Sequence, residues 1–499
     1  METMTQETLG LVRQAQQQAV TDPQQLALMK AWTQSGSAIS GITAYDLEAP
    51  AKSLVPVITP LRNRIPRVGG GMGIQANWRA ITGVNVNNAG VGVSEGVRGV
   101  VQAVSTQDNI AAYRGIGLED YVTFEADYAA QGFDDVKAVA TLNLLRALMI
   151  GEEKLLVGGN SSIALGTTPT PTLAAAATGG SLASGTLSVI CVALTLEGFL
   201  AASVVGGLPL SGTRTLADGN TDSYNAGTAQ KSANATVAVT GPTGSVTATV
   251  SVVNGAVAYA WFWGAAGSEA LGAITTINSL AITASATGTQ LASAGFAADF
   301  SQNGKVFDGL LAQVMRPGSN AYVAVQPTGT AGIGTPLTAD GEGGIVEIDA
   351  ALKSFWDNYR LTPTDIYVSS QEMMNISKKI LQGGTNTAQR FVFQVSQGTI
   401  AGGVMVRSYL NKFTLDGAQE IPIRLHPNLP PGTLLFYAET IPYPLSNVAN
   451  VVQVKTRRDY YQLEWPIRTR RYEYGVYADE VLQCYFPPAF GIIRNIANG

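Results

Sequence analysis

Apolar residues recur at helical spacing over residues 132–160. Side chains three and four positions apart lie on one face of an α-helix. The residues on this face are Phe133, Val136, Ala140, Leu144 and Leu148, widened by Leu142, Leu145 and Met149. Asp134 and Asp135 suit the positive end of a helix dipole, and Gly158 and Gly159 predict its end. The pattern predicts a helix of about 24 residues, or about 36 Å at 1.5 Å per residue.

Between residues 168 and 297 the helical spacing gives way to alternation of period two, which is typical of strands. Tyr259, Trp261 and Trp263 fall on one face of "AVAYAWFWG", and "SVTATVSVV", "TLSVICVALT" and "SLAITASA" are similar strand candidates. Short strands separated by Gly, Ser and Asn turns predict an antiparallel β-sandwich with a tryptophan in its core. Charge is scarce between residues 161 and 298, where the charged residues are Glu197, Arg214, Asp218, Asp222, Lys231 and Glu269.

The first 112 residues lack the apolar surface for a core of their own. Residues 1–35 form an amphipathic segment, and the spaced prolines of residues 49–73 exclude a helix interior there. Residues 74–112 have the composition of a strand, a glycine-rich turn and a second strand. A two-stranded hairpin is at best marginally stable alone. The sequence therefore predicts a hairpin that needs a partner surface, on this or another subunit.

After residue 298 helices and strands alternate again. "VFDGLLAQVM" and "IDAALKSFWDNY" predict helices, and residues 364–380 predict a strand followed by a helix capped by Ser369 or Ser370. Long alternating stretches near the carboxyl end predict the strands of one sheet. We expect residues 298–499 and the 113–160 segment to form one unit, with the sandwich inserted between them.

Composition narrows the class of protein. The chain has 499 residues, of which 46% are hydrophobic and 13% charged, and its net charge is −5. This length accommodates two to four domains, and the mild acidity gives no sign of a general nucleic-acid binder. No apolar run predicts a membrane span, and the amino terminus lacks the pattern of a secretory signal. Cys191 and Cys484 are expected to be buried free thiols.

Candidate catalytic chemistry is sparse. The one histidine, His426, excludes a histidine metal cluster, and we interpret it as structural rather than as part of a catalytic triad. "GGGMGIQA" (69–76) nearly matches a dinucleotide loop, but a strand follows it instead of a helix, so a turn is expected. The acidic pairs Glu119–Asp120, Asp134–Asp135 and Glu152–Glu153 are interpreted as caps and solvated faces, because helix neighbours point apart. We expect no catalytic residue, cofactor or metal.

The most charged stretch is "KTRRDYYQLEWPIRTRRYEYGVY", residues 455–477. Its basic residues are Lys455, Arg457, Arg458, Arg468, Arg470 and Arg471. The interleaved Asp459, Glu464 and Glu473 favour ion pairs across strands or subunits. Contact with a nucleic-acid backbone is the alternative interpretation.

The order of these segments resembles the major capsid proteins of tailed bacteriophages with the HK97-like fold. The stretches that carry the resemblance are the arm end "LVPVITPLRNRIPRV" (54–68), the hairpin Trp78–Ile110 (similar to the family's E-loop), the spine helix in residues 121–160, the axial strand and helix of 361–380, and the closing strands of 472–496. Residues 168–297 resemble the immunoglobulin-like or fibronectin-type domains of phage structural proteins.

The resemblance implies an α+β chain with the HK97-like capsid fold and an inserted all-β Ig-like sandwich. The implied divisions are an N-terminal arm (1–73), the E-loop hairpin (74–112), the spine helix and peripheral domain (113–167), the inserted sandwich (168–297), a mainly axial region (298–440) and closing strands (441–499). The sandwich is expected on the outer surface, where Trp263 would either contact a sugar weakly or lie in the core.

The same resemblance implies a structural role. Copies would form hexamers and pentamers of an icosahedral virion shell, assembled in the host cytoplasm around double-stranded DNA, with a portal and scaffold or decoration proteins as further partners. The candidates for contact between subunits in the arm and hairpin are Arg62, Arg64, Arg67, Trp78, Arg79 and Arg98. The six basic residues of 455–471 are candidates for inner-face DNA or subunit contacts. No lysine lies between Lys52 and Lys137, so the family's covalent Lys–Asn link is not expected.

Two other classes of function stay open from the sequence. One is another virion component or a cell-surface adhesin, of the tail-tube or surface-layer type, that uses the sandwich to bind. The other is a polysaccharide-acting enzyme, which would need a pair of carboxylates across a cleft that nothing in the sequence places.

Overall fold

The computed structural model describes residues 57–84, 92–99, 104–130, 135–216, 218–382, 406–415, 417–441 and 449–498. Its helices are α1 (Phe124–Ala130), α2 (Val136–Gly158), α3 (Leu196–Ala201), α4 (Leu310–Met315), α5 (Val346–Tyr359) and α6 (Ser370–Gln382). Its strands are β1 (Arg67–Val68), β2 (Gln75–Val84), β3 (Val104–Ala112), β4 (Arg114–Thr123), β5 (Thr172–Ala176), β6 (Gly185–Leu194), β7 (Gly212–Thr215), β8 (Thr221–Tyr224), β9 (Ala235–Val239), β10 (Ser245–Thr249), β11 (Ala258–Gly264), β12 (Ala270–Thr275), β13 (Ser279–Ile282), β14 (Tyr322–Val325), β15 (Asp365–Val368), β16 (Ser408–Asn411), β17 (Gln419–Leu425), β18 (Leu434–Tyr437), β19 (Val452–Glu464), β20 (Arg471–Cys484) and β21 (Phe490–Arg494). The α+β class expected from the sequence is confirmed.

The long helix α2 packs across a four-stranded sheet of order β1-β19-β20-β4 in the described residues. The Asp135 side chain accepts from the N–H of Ala138 and caps the helix start, as predicted. Leu144 and Leu148 are buried against Val122 and Val476 of the sheet. Leu142, expected beside the apolar face, is exposed. The predicted helix is therefore confirmed, with a narrower buried face.

The glycines at the end of α2 are required by close packing. A Cβ on Gly158 would overlap the Leu196 side chain, and a Cβ on Gly159 would overlap the carbonyl of Phe307. Gly309 N–H donates to the Gly159 carbonyl at 2.8 Å. The chain thus leaves this point at residue 159 and returns to it near residue 309, after the sandwich segment.

A six-stranded mixed sheet forms the second layer of the body, with the order β14-β21-β18-β15-β17-β16 among the described strands. The central strand β15 pairs parallel with β17 and antiparallel with β18. Ile366 and Phe436 are fully buried in the main core, together with Phe355 of α5 and Ile376 of α6. This strand–helix order was expected from residues 361–380.

Residues 172–282 form two facing antiparallel sheets. The described strands order as β13-β10-β5 in one sheet and β12-β11-β6-β9 in the other. Trp261 and Trp263 lie between the sheets, each with its ring N–H donating, to Thr275 Oγ1 at 2.8 Å and to the Ala284 carbonyl at 2.9 Å. The predicted sandwich with tryptophans in its core agrees with this arrangement, and the burial of Trp263 leaves no ring face for a sugar. Likeness to an Ig domain stays a prediction.

In the four-stranded sheet of this sandwich, β11 and the second half of β6 are buried on both faces. Tyr259 and Trp261 of β11 face the sandwich core, whereas Phe262 packs into the main core with Phe296 and Phe307. Arg494 of β21, buried, donates to the carbonyls of Val253 and Ala256 at 3.0 Å each. The sandwich is therefore one layer of the body's packing as well as an inserted segment.

The predicted hairpin is formed by β2 and β3, which pair from Gln75–Ala112 to Val84–Val104. On its buried side Ala76 and Ala80 lie against the body, and the Trp78 ring N–H donates to the Cys484 carbonyl at 2.8 Å. The stretch of 69–73 is a turn with positive φ at Gly70 and Gly73, as expected, and a strand follows it.

Candidate functional site: the arm root, the hairpin and the basic strands

Residues 57–68, here called the arm root, run between the two sheets of the body. The segment turns at Thr59–Ile65, where Ile65 N–H donates to the Leu61 carbonyl at 2.8 Å, and both Leu61 and Ile65 are buried. The carbonyl of Pro66 then accepts from Val454 N–H at 3.0 Å and starts the parallel pairing of β1 with β19. Apolar contacts and a backbone pairing thus place three arginine side chains of the arm root inside the body.

Glu153 of α2 ties the arm root to the helix and to the six-stranded sheet. Its carboxylate accepts from the backbone N–H groups of Leu61 at 2.9 Å and Arg62 at 2.7 Å. It also lies 2.6 Å from Nε2 of His426, in the loop after β17. Because Nδ1 of His426 accepts from the N–H of Asn428, the ring proton is on Nε2 and points to Glu153. The interpretation of His426 as structural agrees with this buried pairing.

Glu152, the neighbouring carboxylate, holds two arginines of the arm root. Arg62 Nε donates to one of its oxygens at 2.9 Å, and Arg67 contacts the other. The hydroxyl of Tyr460 on β19 also contacts Glu152. Arg67 reaches further to Glu480 Oε2 at 2.8 Å and to Asp459 Oδ1 at 2.7 Å. The three carboxylates and two guanidinium groups form a network, here called the junction cluster.

Burial and charge act against each other in the junction cluster. Burial by itself lowers the pKa of Arg67, but the charges of Glu480 and Glu152 more than offset this, so the pKa is raised. Burial, followed by the charge of Glu152, raises the pKa of Glu480 to about 8 against the opposing effect of Arg67. Glu480 is thus the group of the cluster whose neutral form the surroundings favour.

Arg64 makes the third connection, to the six-stranded sheet. It contacts Asp365, fully buried at the start of β15, and donates to Glu439 at 3.1 Å. Asp365 also accepts from Arg424 Nε of β17 at 2.5 Å. The arginines of the arm root therefore alternate between the helix side and the sheet side of the body.

The interpretation of Glu152–Glu153 as a solvated pair was wrong. Both side chains are fully buried, although neighbours on a helix point about 100° apart. They are enclosed because the arm root covers one side of the helix end and the His426 loop covers the other. A signal for this existed in the three arginines of "PLRNRIPR" (60–67), in a chain where charge is scarce.

The hairpin presents its remaining candidates to solvent. Arg79 donates to Asp108 on the paired strand at 2.8 Å, with both side chains exposed, and Arg98 is also exposed. The Trp78 side chain is buried within its own chain, where its ring N–H donates to the Cys484 carbonyl. Contact of these residues, and of Arg62, Arg64 and Arg67, with another subunit stays a prediction.

The six basic residues of 455–471, on β19, on β20 and in the turn between them, divide into two groups. Lys455 and Arg457 donate to the carbonyls of Gly69 at 2.7 Å and Gly73 at 3.1 Å, which fixes the glycine-rich turn. Arg457 also pairs across strands with Asp479 of β20 at 3.1 Å, an acidic partner outside the predicted set of Asp459, Glu464 and Glu473. Arg458 lies over the ring of Tyr461, at 3.9 Å from its centroid.

The second group lies around the turn between the two strands. Arg470 pairs with Glu125 at 2.7 Å while both stay exposed, and Arg471 pairs with Glu473 at 2.5 Å. Arg468 is exposed in the turn. The exposed pair of Arg470 with Glu125 contributes little to stability. Because Arg468 and Arg470 are both exposed, their charge is accessible to another molecule.

Within the described ranges, no group of three or more His, Cys, Asp or Glu side chains is placed to hold a metal ion. Cys191 and Cys484 are buried free thiols, as expected, and burial raises the pKa of Cys484 to about 12. No described helix is both long and apolar enough to span a membrane.

No protein-family model matches the chain, and no curated protein matches it. Solved structures do match, over most of the length of both chains. The capsid of cyanophage A-1(L) is 12% identical with a TM-score of 0.40, covering 91% of this chain and 96% of the other. The capsid of cyanophage P-SCSP1u is 10% identical with a TM-score of 0.37, covering 96% of this chain and 100% of the other. The SrpI encapsulin complex of Synechococcus elongatus PCC 7942 is 9% identical with a TM-score of 0.37, covering 91% and 97%.

Proposed function

We propose that this chain is the structural subunit of a viral capsid of the HK97-like type, which self-assembles into hexamers and pentamers around a double-stranded DNA genome. The observation that carries the proposal is the β2–β3 hairpin. Its inner half is packed on the body, whereas its outer half offers apolar side chains to solvent. We infer that another copy of the chain covers that outer half.

The exposed apolar residues of the outer half are Val93, Val97 and Val104, each more than half exposed. Ile110, which is also exposed, lies at the base of the hairpin opposite Asn77. A ribbon of two strands gains little stability by itself, because it buries few side chains and leaves its faces in water. A neighbouring subunit would remove these residues from water and pair the hairpin with a larger surface.

The arm root also supports the proposal that this chain is an assembling subunit. It is bound within the body through Glu152, Glu153 and Asp365. The sequence of residues 1–56 lacks the apolar surface for a core of its own. A segment with that composition, next in sequence to a bound arm root, suits contact with a neighbouring subunit.

The remaining partners belong to the same proposal. Arg468 and Arg470 are exposed and would make weak contact with packaged DNA or a neighbouring subunit. The sandwich would lie at the outer surface of the shell. A portal and scaffold or decoration proteins would complete the virion, which is assembled in the host cytoplasm. The role is structural and not catalytic.

Shortening the hairpin tests the proposal. Residues 85–103 are replaced by Asn-Gly, which joins the paired Val84 and Val104 through a two-residue turn. The unaltered chain, expressed alone, should give closed shells or capsomer rings by electron microscopy and light scattering. The shortened variant should remain folded, with the same circular dichroism, and stay as single subunits.

The matched control shortens a hairpin of the sandwich segment. Residues 216–220 are replaced by Asn-Gly between the paired Thr215 and Thr221, and this variant should assemble like the unaltered chain. Single subunits from the unaltered chain, or shells from the variant lacking 85–103, would contradict the proposal.

A further inference from the structure

The motif "GGGMGI" of residues 69–74, here called the glycine loop, has no part in the function proposed so far. It presents two large apolar side chains to solvent: Met72 is 83% exposed and Ile74 is 82% exposed. Single exposed apolar residues are common on protein surfaces, whereas neighbouring ones mark a surface that another molecule covers. The exposure of this pair therefore indicates a contact surface.

The glycine loop is held in one shape by contacts on its inner side. The N–H of Gly71 donates to the Thr456 carbonyl of β19 at 3.0 Å, and a Cβ on Gly71 would overlap the hydroxyl of Tyr113. Lys455 and Arg457 donate to two further carbonyls of the loop. A loop fixed in this way has little conformational entropy left to lose on binding, which favours a specific contact.

The base of the glycine loop is positively charged. Lys455 donates to a carbonyl, and no described carboxylate forms an ion pair with it. Arg457 shares its charge with Asp479 of β20. Because the loop combines an apolar tip with a basic base, its partner should combine apolar side chains with carboxylates that have no cation of their own.

The edge strand β4 carries this combination at residues 118–121, here called the acidic edge. All four side chains are exposed, and two of them, Leu118 and Tyr121, are apolar or aromatic. The other two, Glu119 and Asp120, contact tyrosine hydroxyls, and neither forms an ion pair with a described cation. Because β4 pairs only with β20 among the described strands, side chains on both of its faces border the free edge.

The glycine loop and the acidic edge lie at opposite edges of one sheet. The loop follows β1 directly, and the strand order β1-β19-β20-β4 places β4 at the other side. Three strand spacings, about 14 Å, separate the two edges, so the two surfaces do not meet within one chain. One copy can offer its loop to a neighbour on one side and its acidic edge to a neighbour on the other. Contacts of this head-to-tail kind can close into rings.

We propose that the glycine loop of one copy docks on the acidic edge of a second copy: Met72 and Ile74 contact its apolar side chains, and Lys455 lies beside its two carboxylates. The inference rests on the proposed function, because it names a contact by which neighbouring subunits of a ring recognise each other. This contact is separate from the outer half of the β2–β3 hairpin.

Removing the apolar tip of the loop tests the contact in the full-length chain. Met72→Ser combined with Ile74→Ser should raise the concentration at which half of the chains are assembled by about tenfold or more, measured by light scattering. Met374→Ser combined with Ile333→Ser is the matched control, since these side chains are also largely exposed, and it should assemble like the unaltered chain. Circular dichroism checks the fold, and Met72→Gln alone serves if the loop variant misfolds.

Mixing two variants tests which surfaces meet. Glu119→Lys combined with Asp120→Lys removes the acidic edge and keeps the loop, whereas the loop variant keeps the acidic edge. Each variant alone should remain as single subunits at the concentration where the unaltered chain assembles. An equimolar mixture should form dimers with one chain of each kind, because one intact contact remains. Sedimentation velocity with one of the variants labelled identifies these dimers.

Three outcomes would count against the inference. If the unaltered chain forms rings or shells and the loop variant assembles at the same concentration, this contact is wrong and the proposed function stands. A mixture without dimers would also overturn the contact, because the loop would then bind a surface other than the acidic edge. Single subunits from the unaltered chain at every concentration would contradict both the contact and the proposed function.

Discussion

Glu153 shows how one buried side chain connects three parts of this chain. It accepts from two backbone N–H groups of the arm root, lies on α2 and is bonded to His426 beside the six-stranded sheet. Hydrogen bonds to a charged acceptor are stronger than neutral ones, and these are shielded from water. Removing the acceptor leaves three donors buried without partners, which is the costly half of a hydrogen-bond deletion.

Glu153→Ala should therefore lower the free energy of unfolding by about 3 kcal/mol or more. Urea unfolding of the unassembled full-length chain, followed by circular dichroism, measures the change. Glu125→Ala is the matched control, since Glu125 is exposed and its variant should unfold at the same urea concentration as the unaltered chain. If both variants unfold together at the unaltered midpoint, Glu153 is not the connection described here.

Local residue roles were predictable, and distant pairings were not. The cap at Asp135 depends on a neighbour three positions away, and the sequence predicted it. The glycine stop after α2 was also predicted, although contacts with the distant Leu196 and Phe307 are what require glycine there. Glu153 meets partners 92 and 273 positions away, and no spacing rule reaches that far. The proline-spaced arginines of the arm root were the nearest available signal.

At the scale of elements, α2 carries two kinds of surface along one rod. Leu144 and Leu148 pack on the four-stranded sheet, and Glu152 and Glu153 at its end bind the arm root. Burial of the apolar half stabilises the helix in place, so the charged half is presented at a fixed distance from both sheets. The helix therefore sets the position of the arm root.

Leu148→Ala should lower the free energy of unfolding by about 2–5 kcal/mol, because a buried leucine leaves both lost contacts and a cavity. Leu142→Ala on the same helix is the control, since Leu142 is largely exposed and its loss should leave stability unchanged. Thermal unfolding of the unassembled chain compares the two. Equal losses would show that the helix is held by its whole circumference.

The type of each element could be predicted from its periodicity, whereas the packing that buries each of its faces could not. The alternation of β11 predicted one buried and one solvated face, and Trp261 and Trp263 do face the sandwich core. The opposite face is buried as well, because Phe307 and Leu310 from the segment that follows the sandwich cover it together with Phe296. That cover comes from another part of the chain, and the pattern within a strand cannot show it.

At the scale of the whole molecule, the sandwich and the body share a core. Phe262 of the sandwich packs with Phe307 and Leu310 of the body, and Arg494 bridges the two by hydrogen bonds. An accessory joined only through its two ends could be removed without uncovering apolar side chains. Here removal would expose a face of the body that water does not otherwise reach.

Deletion of residues 168–297 should therefore prevent assembly and increase binding of a dye that reports exposed apolar surface. Fluorescence of the dye and electron microscopy of the same sample measure both effects. The variant with Asn-Gly at 216–220 is again the control, because it shortens the segment without touching the shared core. Normal shells from the deletion variant would show that the body does not need the sandwich.

The meeting of Gly159 and Gly309 has a consequence for how the chain is made. The hydrogen bond between them closes a loop of about 150 residues, and α4 follows it at once. A ribosome adds roughly 5–20 residues each second, so the end of α2 waits about 8–30 s for the residues near Gly309. Its glutamates and leucines wait longer still, because His426, Tyr460 and Val476, which help to bury them, lie further along the chain. A nascent subunit of this design depends on the cell to shield it, and slow codons inside the sandwich would lengthen the risk.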